Sequence, residues 1–248
     1  MATVLISMAV RLTVLVAGLL LLTGCMWLRL STVKDQLADL DRYIEVPDGE
    51  RLELRFKERP LRAGDPEDVI GAPPSTAAAL ADGTQQLTWR FRRVALDGQV
   101  VPETGWILDF DVWTKDGRVT AVAFPAQVYR VMDRERCITM LRAFGQGEVD
   151  TSKREVEAQV QVHEPGIATA SGAASASAVW LQRAAMLECL GAPFTSIVAE
   201  QQLRDTYRYR LDGTPTAEAR LLLEYDESGS RLQRMRVTIN KIWLSVRF

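Results

Sequence analysis

This chain is poor in the residues that carry covalent chemistry. It has one histidine, His163, and three cysteines, Cys25, Cys137 and Cys189. His163 precedes Glu164-Pro165-Gly166 and reads as a surface-loop residue. No His-Glu-Xaa-Xaa-His, Cys-Xaa-Xaa-Cys or Gly-Xaa-Ser-Xaa-Gly joins it to build a zinc site or a nucleophile elbow. Gly145-Gln146-Gly147 lacks the third glycine and the following helix of a phosphate loop. An excess of charge is missing as well: the formal net charge of −2 argues against a nucleic-acid partner and against an acidic solvating tail. The sequence therefore predicts a non-enzyme with no catalytic residue, no metal site, no cofactor and no small-molecule substrate. What remains is globular in composition, 47% hydrophobic and 25% charged.

Long apolar runs are absent except for one, Leu12 to Leu22 behind Arg11, which ends in Leu22-Thr23-Gly24-Cys25. A positive residue, a short apolar core and small residues at a cleavage point make a secretory signal, too short to span a bilayer comfortably. The tetrapeptide resembles the bacterial lipobox. That resemblance implies a signal peptide over residues 1–24, cleavage before Cys25, and acylation of Cys25 with palmitate-type chains. Each buried methylene contributes about 0.8 kcal/mol, so several chains hold such a protein on the membrane. Met26 follows in place of the Asp that favours inner-membrane retention, so the expected address is the periplasmic face of the outer membrane. The apolar residues ahead of Arg11 are unusual for a signal, and Met8-Ala9-Val10-Arg11 is the expected start.

The rest of the chain is organised around a stretch that occurs twice. Gly71-Ala72-Pro73-Pro74-Ser75-Thr76 returns as Gly191-Ala192-Pro193-Phe194-Thr195-Ser196. Thr88-Trp89-Arg90-Phe91-Arg92 returns as Thr206-Tyr207-Arg208-Tyr209-Arg210. Glycine closes a helix in the left-handed conformation and proline cannot continue it, so each copy predicts a helix, a stop and then sheet. In the first copy an amphipathic helix runs from about Leu28 to Tyr43, Leu52 to Phe56 alternates as a strand, and Asp65-Pro66 opens a short helix. Three antiparallel strands follow, with a hairpin at Lys115-Asp116-Gly117-Arg118. In the second copy Asp133 caps a helix, Val156 to Val162 alternates, Ala168 to Ala178 is a small-residue loop, and Trp180 to Leu190 is helical. Three strands then turn at Ser228-Gly229-Ser230. The predicted fold class is α+β: two tandem units, residues 25–130 and 131–248, each with two helices packed on an antiparallel sheet of three to four strands. So small a unit predicts that the halves pack together or share a sheet.

Cys189-Leu190-Gly191-Ala192-Pro193 with Tyr207 and Tyr209, and more loosely Val69-Ile70-Gly71-Ala72-Pro73 with Trp89 and Phe91, resemble the BamE (SmpA/OmlA) type of outer-membrane lipoprotein. The resemblance implies a lipid-anchored binding or scaffold protein, accessory to envelope or barrel-protein assembly, with an envelope protein as partner. The doubled unit also resembles the tandem arrangement of the β-lactamase inhibitor protein, which implies the alternative of a binder or inhibitor of a soluble periplasmic protein. No binding residue carries over from either.

Cys137 and Cys189 have two readings in an oxidising periplasm. A disulfide between them would close a loop of about 50 residues and contribute on the order of 4 kcal/mol; otherwise they are two separate buried thiols. Arg90, Arg92, Arg208 and Arg210 are the candidate surface contacts for an anion or a partner, extended by Arg234 and Arg236. Their plainer role is a solvated sheet face balanced by acids such as Glu224, with Asp109 and Asp111 pairing with Arg90 and Arg92. The C-terminal Ile242 to Phe248 alternates and predicts a final strand, which would offer itself to a partner strand if it lay at an edge.

Overall fold

In a computed structural model of the chain, residues 26–101, 107–150, 154–160, 181–240 and 242–248 are described. The signal segment, the Met8 start, Cys25, His163 and the Ala168–Ala178 loop lie outside them. The first half runs α1 (residues 26–38), α2 (Leu40–Tyr43), β1 (Ile44–Glu45), β2 (Glu53–Phe56), α3 (Asp65–Ile70), β3 (Thr76–Ala79), β4 (Gln85–Arg93), β5 (Ile107–Lys115) and β6 (Arg118–Ala123). The second runs α4 (Val128–Val131), α5 (Arg134–Gln146), β7 (Glu148–Asp150), β8 (Glu155–Gln159), α6 (Arg183–Leu190), β9 (Thr195–Ala199), β10 (Gln202–Leu211), β11 (Thr214–Tyr225), β12 (Leu232–Ile239) and β13 (Ile242–Arg247).

Local chemistry explains the boundaries. Gly71 closes α3 at φ 77°, with its N–H donating to the Glu67 carbonyl. Asp133 caps α5 by accepting from the Arg136 N–H, which satisfies an orphan donor of the first turn. Asp116 and Gly117 both take positive φ, 54° and 73°, as a two-residue hairpin between β5 and β6 demands.

The predicted fold class does not hold. The strands form one 13-stranded sheet in the order β1-β2-β6-β5-β4-β10-β11-β12-β13-β8-β7, with β3 added to β4 and β9 to β10. Short strands β1, β3, β7 and β9 arise in stretches to which the sequence pattern assigns no strand, and the long helix of the first copy breaks at Asp39 into α1 and α2. The physical reason is the seam. β4 leaves one edge open beyond β3, β10 leaves the matching edge open beyond β9, and each satisfies the other's backbone groups. Arg92 lies opposite Arg210, Phe91 opposite Leu211 and Arg93 opposite Tyr209. The Asp212 N–H donates to the Arg90 carbonyl and the Val94 N–H to the Arg208 carbonyl, both at 2.9 Å. Equivalent residues thus exchange equivalent bonds, which is a local two-fold relation between the copies.

The copies differ at one place. In the first, β2 pairs directly with β6. In the second, β13 turns back from β12 at Asn240 (φ 53°) and lies between β12 and β8, antiparallel to the one and parallel to the other. The C-terminal strand is therefore interior, not an edge open to a partner. The outermost strands β1 and β7 are short and carry Glu45, Glu148 and Asp150, a composition that discourages edge pairing.

Alternation gives the sheet two unlike faces. On one, Trp89, Phe91, Val112, Tyr207, Tyr209, Leu211, Leu223 and Tyr225 form a single core with Leu40, Cys137, Leu141, Met186 and Leu190 from the helices. Each of these large side chains contributes roughly 1.5–3 kcal/mol by leaving water. Helix α5 comes close to α1, where a side chain at Gly145 would stand 2.0 Å from the Ala38 nitrogen. The two thiols are free: Cys137 donates to the Met132 carbonyl and Cys189 to the Arg130 carbonyl, both at the C-terminal end of α4, with no bridge between them. Burial raises the Cys137 thiol to about 12.

Candidate functional site: the open face of the sheet

The other sheet face carries Thr88, Arg90, Arg92, Asp109 and Asp111 from the first copy and Arg204, Thr206, Arg208, Arg210, Glu218 and Arg220 from the second. These positions alternate with the core residues of the same strands, which is why Trp-Arg-Phe-Arg and Tyr-Arg-Tyr-Arg each put both arginines on this side. The seam then brings the two sequence-predicted arginine pairs together in one row.

Most of the row is neutralised within the chain. Arg90 makes a two-pronged contact with Asp109, both arms at 2.8 Å, and that hydrogen bond together with the charge of Asp109 raises its pKa. Arg92 does not meet Asp111 as the spacing predicts. It reaches across the seam, with its Nε 2.8 Å from each oxygen of Asp212. Asp111 is engaged elsewhere: burial pushes its carboxyl up, but bonds from Thr88, Arg51 and Gln86 outweigh this and its pKa is lowered. Arg51 also lies over the Trp113 ring, 5.3 Å from its centroid.

In the second copy Arg208 bonds Glu218 at 2.5 Å and sits 4.8 Å above the Phe194 ring. Arg220 shares Glu218 at 3.5 Å. Glu224 sits between Arg204 and Arg234, as its placement in the sequence suggested. Arg236 lies over Trp243 and 3.8 Å from Glu155. Sequence reasoning missed Asp212, Glu218 and Arg51. They lie in turns or on neighbouring strands, and only the register across the seam reveals Asp212, which stands two positions beyond Arg210.

Elsewhere the ion pairs hold helices to the core. Arg183, the first residue of α6, grips Asp205 at 2.8 and 3.1 Å, and Asp205 is fully buried on β10. Arg29 holds buried Asp65 at the start of α3 in the same manner. A cleft of about 620 Å³ lies between α2 and α5, lined by Leu40, Ile44, Lys57, Arg134, Ile138 and Arg142. Among the described residues, no group of three or more His, Cys, Asp and Glu is placed to hold a metal ion. No helix among them is long and apolar enough to cross a membrane.

Comparison of the chain with family models, with curated proteins and with solved structures finds no match.

Proposed function

We propose that this chain is a lipid-anchored binding and scaffold protein of the outer membrane, held by acyl chains on Cys25, which engages an envelope protein through the open face of its sheet. The reading is supported by Leu22-Thr23-Gly24-Cys25 and by the described part of α1, residues 26–38, whose Leu30, Val33 and Leu37 pack on the core a short way along the chain from Cys25 and so keep the sheet close to the anchor. The observation that carries it is the open face, which crosses the seam between the copies and presents arginine, carboxylate and aromatic side chains in fixed register. Arginine and aromatic side chains dominate binding energy at protein interfaces. Its task in this reading is assembly or scaffolding, as in the BamE-type lipoproteins that Cys189–Pro193 and Tyr207 resemble.

The test is in two parts. Mass spectrometry of the processed N-terminus is expected to find acylated Cys25, and Cys25→Ala is expected to release the protein from membranes. A photo-crosslinking residue at Thr206 or Thr238 on the open face is then expected to trap one envelope protein, while the same residue at exposed Gly83 is not. Co-purification of barrel-assembly subunits supports the assembly role. A lone soluble periplasmic protein at Thr206 overturns it.

A further inference from the structure

The local two-fold across the seam exposes a vacancy. Arg92 and Arg210 are equivalent residues directly opposite each other. Two positions beyond Arg210 stands Asp212, whose carboxylate neutralises Arg92. Two positions beyond Arg92 stands Val94, which is buried and uncharged. The counter-ion that symmetry would give Arg210 is therefore missing. Its cross-strand neighbour Glu218 does not replace it, because the Glu218 carboxylate is taken by Arg208 and Arg220. Arg210 Nε is buried with no hydrogen-bond partner. The Nε atoms of Arg204, Arg208 and Arg236 also lack hydrogen bonds, but each of those residues has a carboxylate within 4.0 Å. Arg210 has none among the described residues. A half-buried guanidinium without a counter-charge costs free energy that a ligand anion restores.

We infer that Arg210 is the docking point for a carboxylate side chain of an acidic protein segment, placed on Arg210 as Asp212 is placed on Arg92. The chain supplies the template for the ligand: the equivalent guanidinium is filled by one aspartate carboxylate. The surroundings favour a single carboxylate over a multiply charged phosphate or an anionic lipid surface, since Asp109, Asp212 and Glu218 line the same row and repel larger negative charge. Phe194 beneath Arg208 offers an apolar rest for the segment beside the charge. This deepens the binding reading of the same face, and it rests on that reading only for the identity of the partner.

The test uses the full chain in a non-ionic detergent and N-acetyl-aspartate N-methylamide, which carries one side-chain carboxylate, as the probe, with chloride at equal ionic strength as the blank. Arginine side-chain Nε–Hε resonances are followed by NMR. The Arg210 signal is expected to shift saturably, at about one-tenth of the concentration needed to move the more exposed Arg220, while Arg92 stays still. Asp212→Asn opens the equivalent vacancy, and Arg92 is then expected to respond in the same range. Arg210→Gln is expected to remove the saturable response, and Arg220→Gln to leave it. A wild-type Arg210 signal that moves only as chloride moves it overturns the proposal. So does saturation by inorganic phosphate at lower concentration than by N-acetyl-aspartate N-methylamide. Neither result bears on acylation of Cys25 or on crosslinking from Thr206, so failure here is distinguishable from failure of the anchored-scaffold reading.

Discussion

Trp89 and Tyr207 do the same job in the two halves of the chain. Trp89 Nε1 donates to the Ala72 carbonyl at 2.9 Å, and the Tyr207 hydroxyl donates to the Gly191 carbonyl at 3.1 Å. In each case a fully buried ring on a central strand ties down the turn that follows the preceding helix.

Removing the tip of one ring isolates this tie. Tyr207→Phe keeps the ring and leaves the Gly191 carbonyl without its donor, at an expected cost of about 1–2 kcal/mol. Trp89→Phe loses the donor and also leaves a cavity, so its cost is expected to be larger, roughly 3 kcal/mol. Urea denaturation of the two variants checks the order. A Tyr207→Phe midpoint equal to that of the wild type would mean that the turn does not depend on this bond.

Asp111 gives the fold an acid-sensitive point. Its folded-state pKa lies below the ordinary 3.8, because Thr88, Arg51 and Gln86 together outweigh the effect of burial. The stability it contributes is fully present above 3.8 and is lost as pH falls through the lowered folded value. Asp65, bonded by Arg29 and by the Arg62 N–H, shifts in the same direction and acts in the same window. Unfolding midpoints measured from pH 6 down to about pH 2 are expected to fall below pH 4. The Asp111→Asn variant is expected to be less stable near neutrality and to lose less of its stability in acid.

The strands of each copy were legible from alternation because each has one apolar and one polar face, as in Trp89-Arg90-Phe91-Arg92. The helix stops at Gly71 and Gly191 were legible because both glycines take positive φ, 77° and 70°. Strands β3 and β9 were not. Thr76–Ala79 is exposed throughout and Thr195–Ala199 mostly so, hence neither carries a burial pattern, and both exist only because β4 and β10 offer them an edge. The single sheet was visible only as an inference from the small size of each unit. Nothing in either copy marks Phe91 and Leu211 as partners. The arginine pairs were found by repetition and the Arg90–Asp109 pairing by spacing, yet the counter-ion of Arg92, Asp212, comes from across the seam, which no local pattern encodes.

Gly145 is expected to tolerate no side chain. An added Cβ would lie 2.0 Å from the Ala38 nitrogen and 2.5 Å from its Cα, contacts with backbone that cannot rotate away. Gly145→Ala must therefore push α1 and α5 apart, at a cost of about 3 kcal/mol. Gly213→Ala is the control: it has open space around it but a φ of 79°, so only backbone strain of about 1 kcal/mol is expected. Thermal melts of the two variants separate crowding from strain. If Gly145→Ala melts no lower than Gly213→Ala, the helices have room to shift.

The last strand is a slot-filler in a repeat that otherwise closes without it. In the first copy β2 sits against β6, whereas in the second β13 holds β8 away from β12 by one strand spacing on either side, about 4.8 Å each. Ending the chain at Asn240 therefore removes every ladder bond that β8 makes on that side and uncovers Met235 and Val237 beside the vacant slot. Helix α5 packs on β8, so β8 cannot simply slide over to β12. The truncated chain is expected to lose amide protection in β8, β7 and β12 while β4 and β5 stay protected. A synthetic peptide spanning Ile242 to Phe248 is expected to restore it. Hydrogen exchange read by mass spectrometry resolves these segments. Protection of β8 that survives truncation would show that β8 and β12 pair directly, as β2 and β6 do, and that β13 is dispensable.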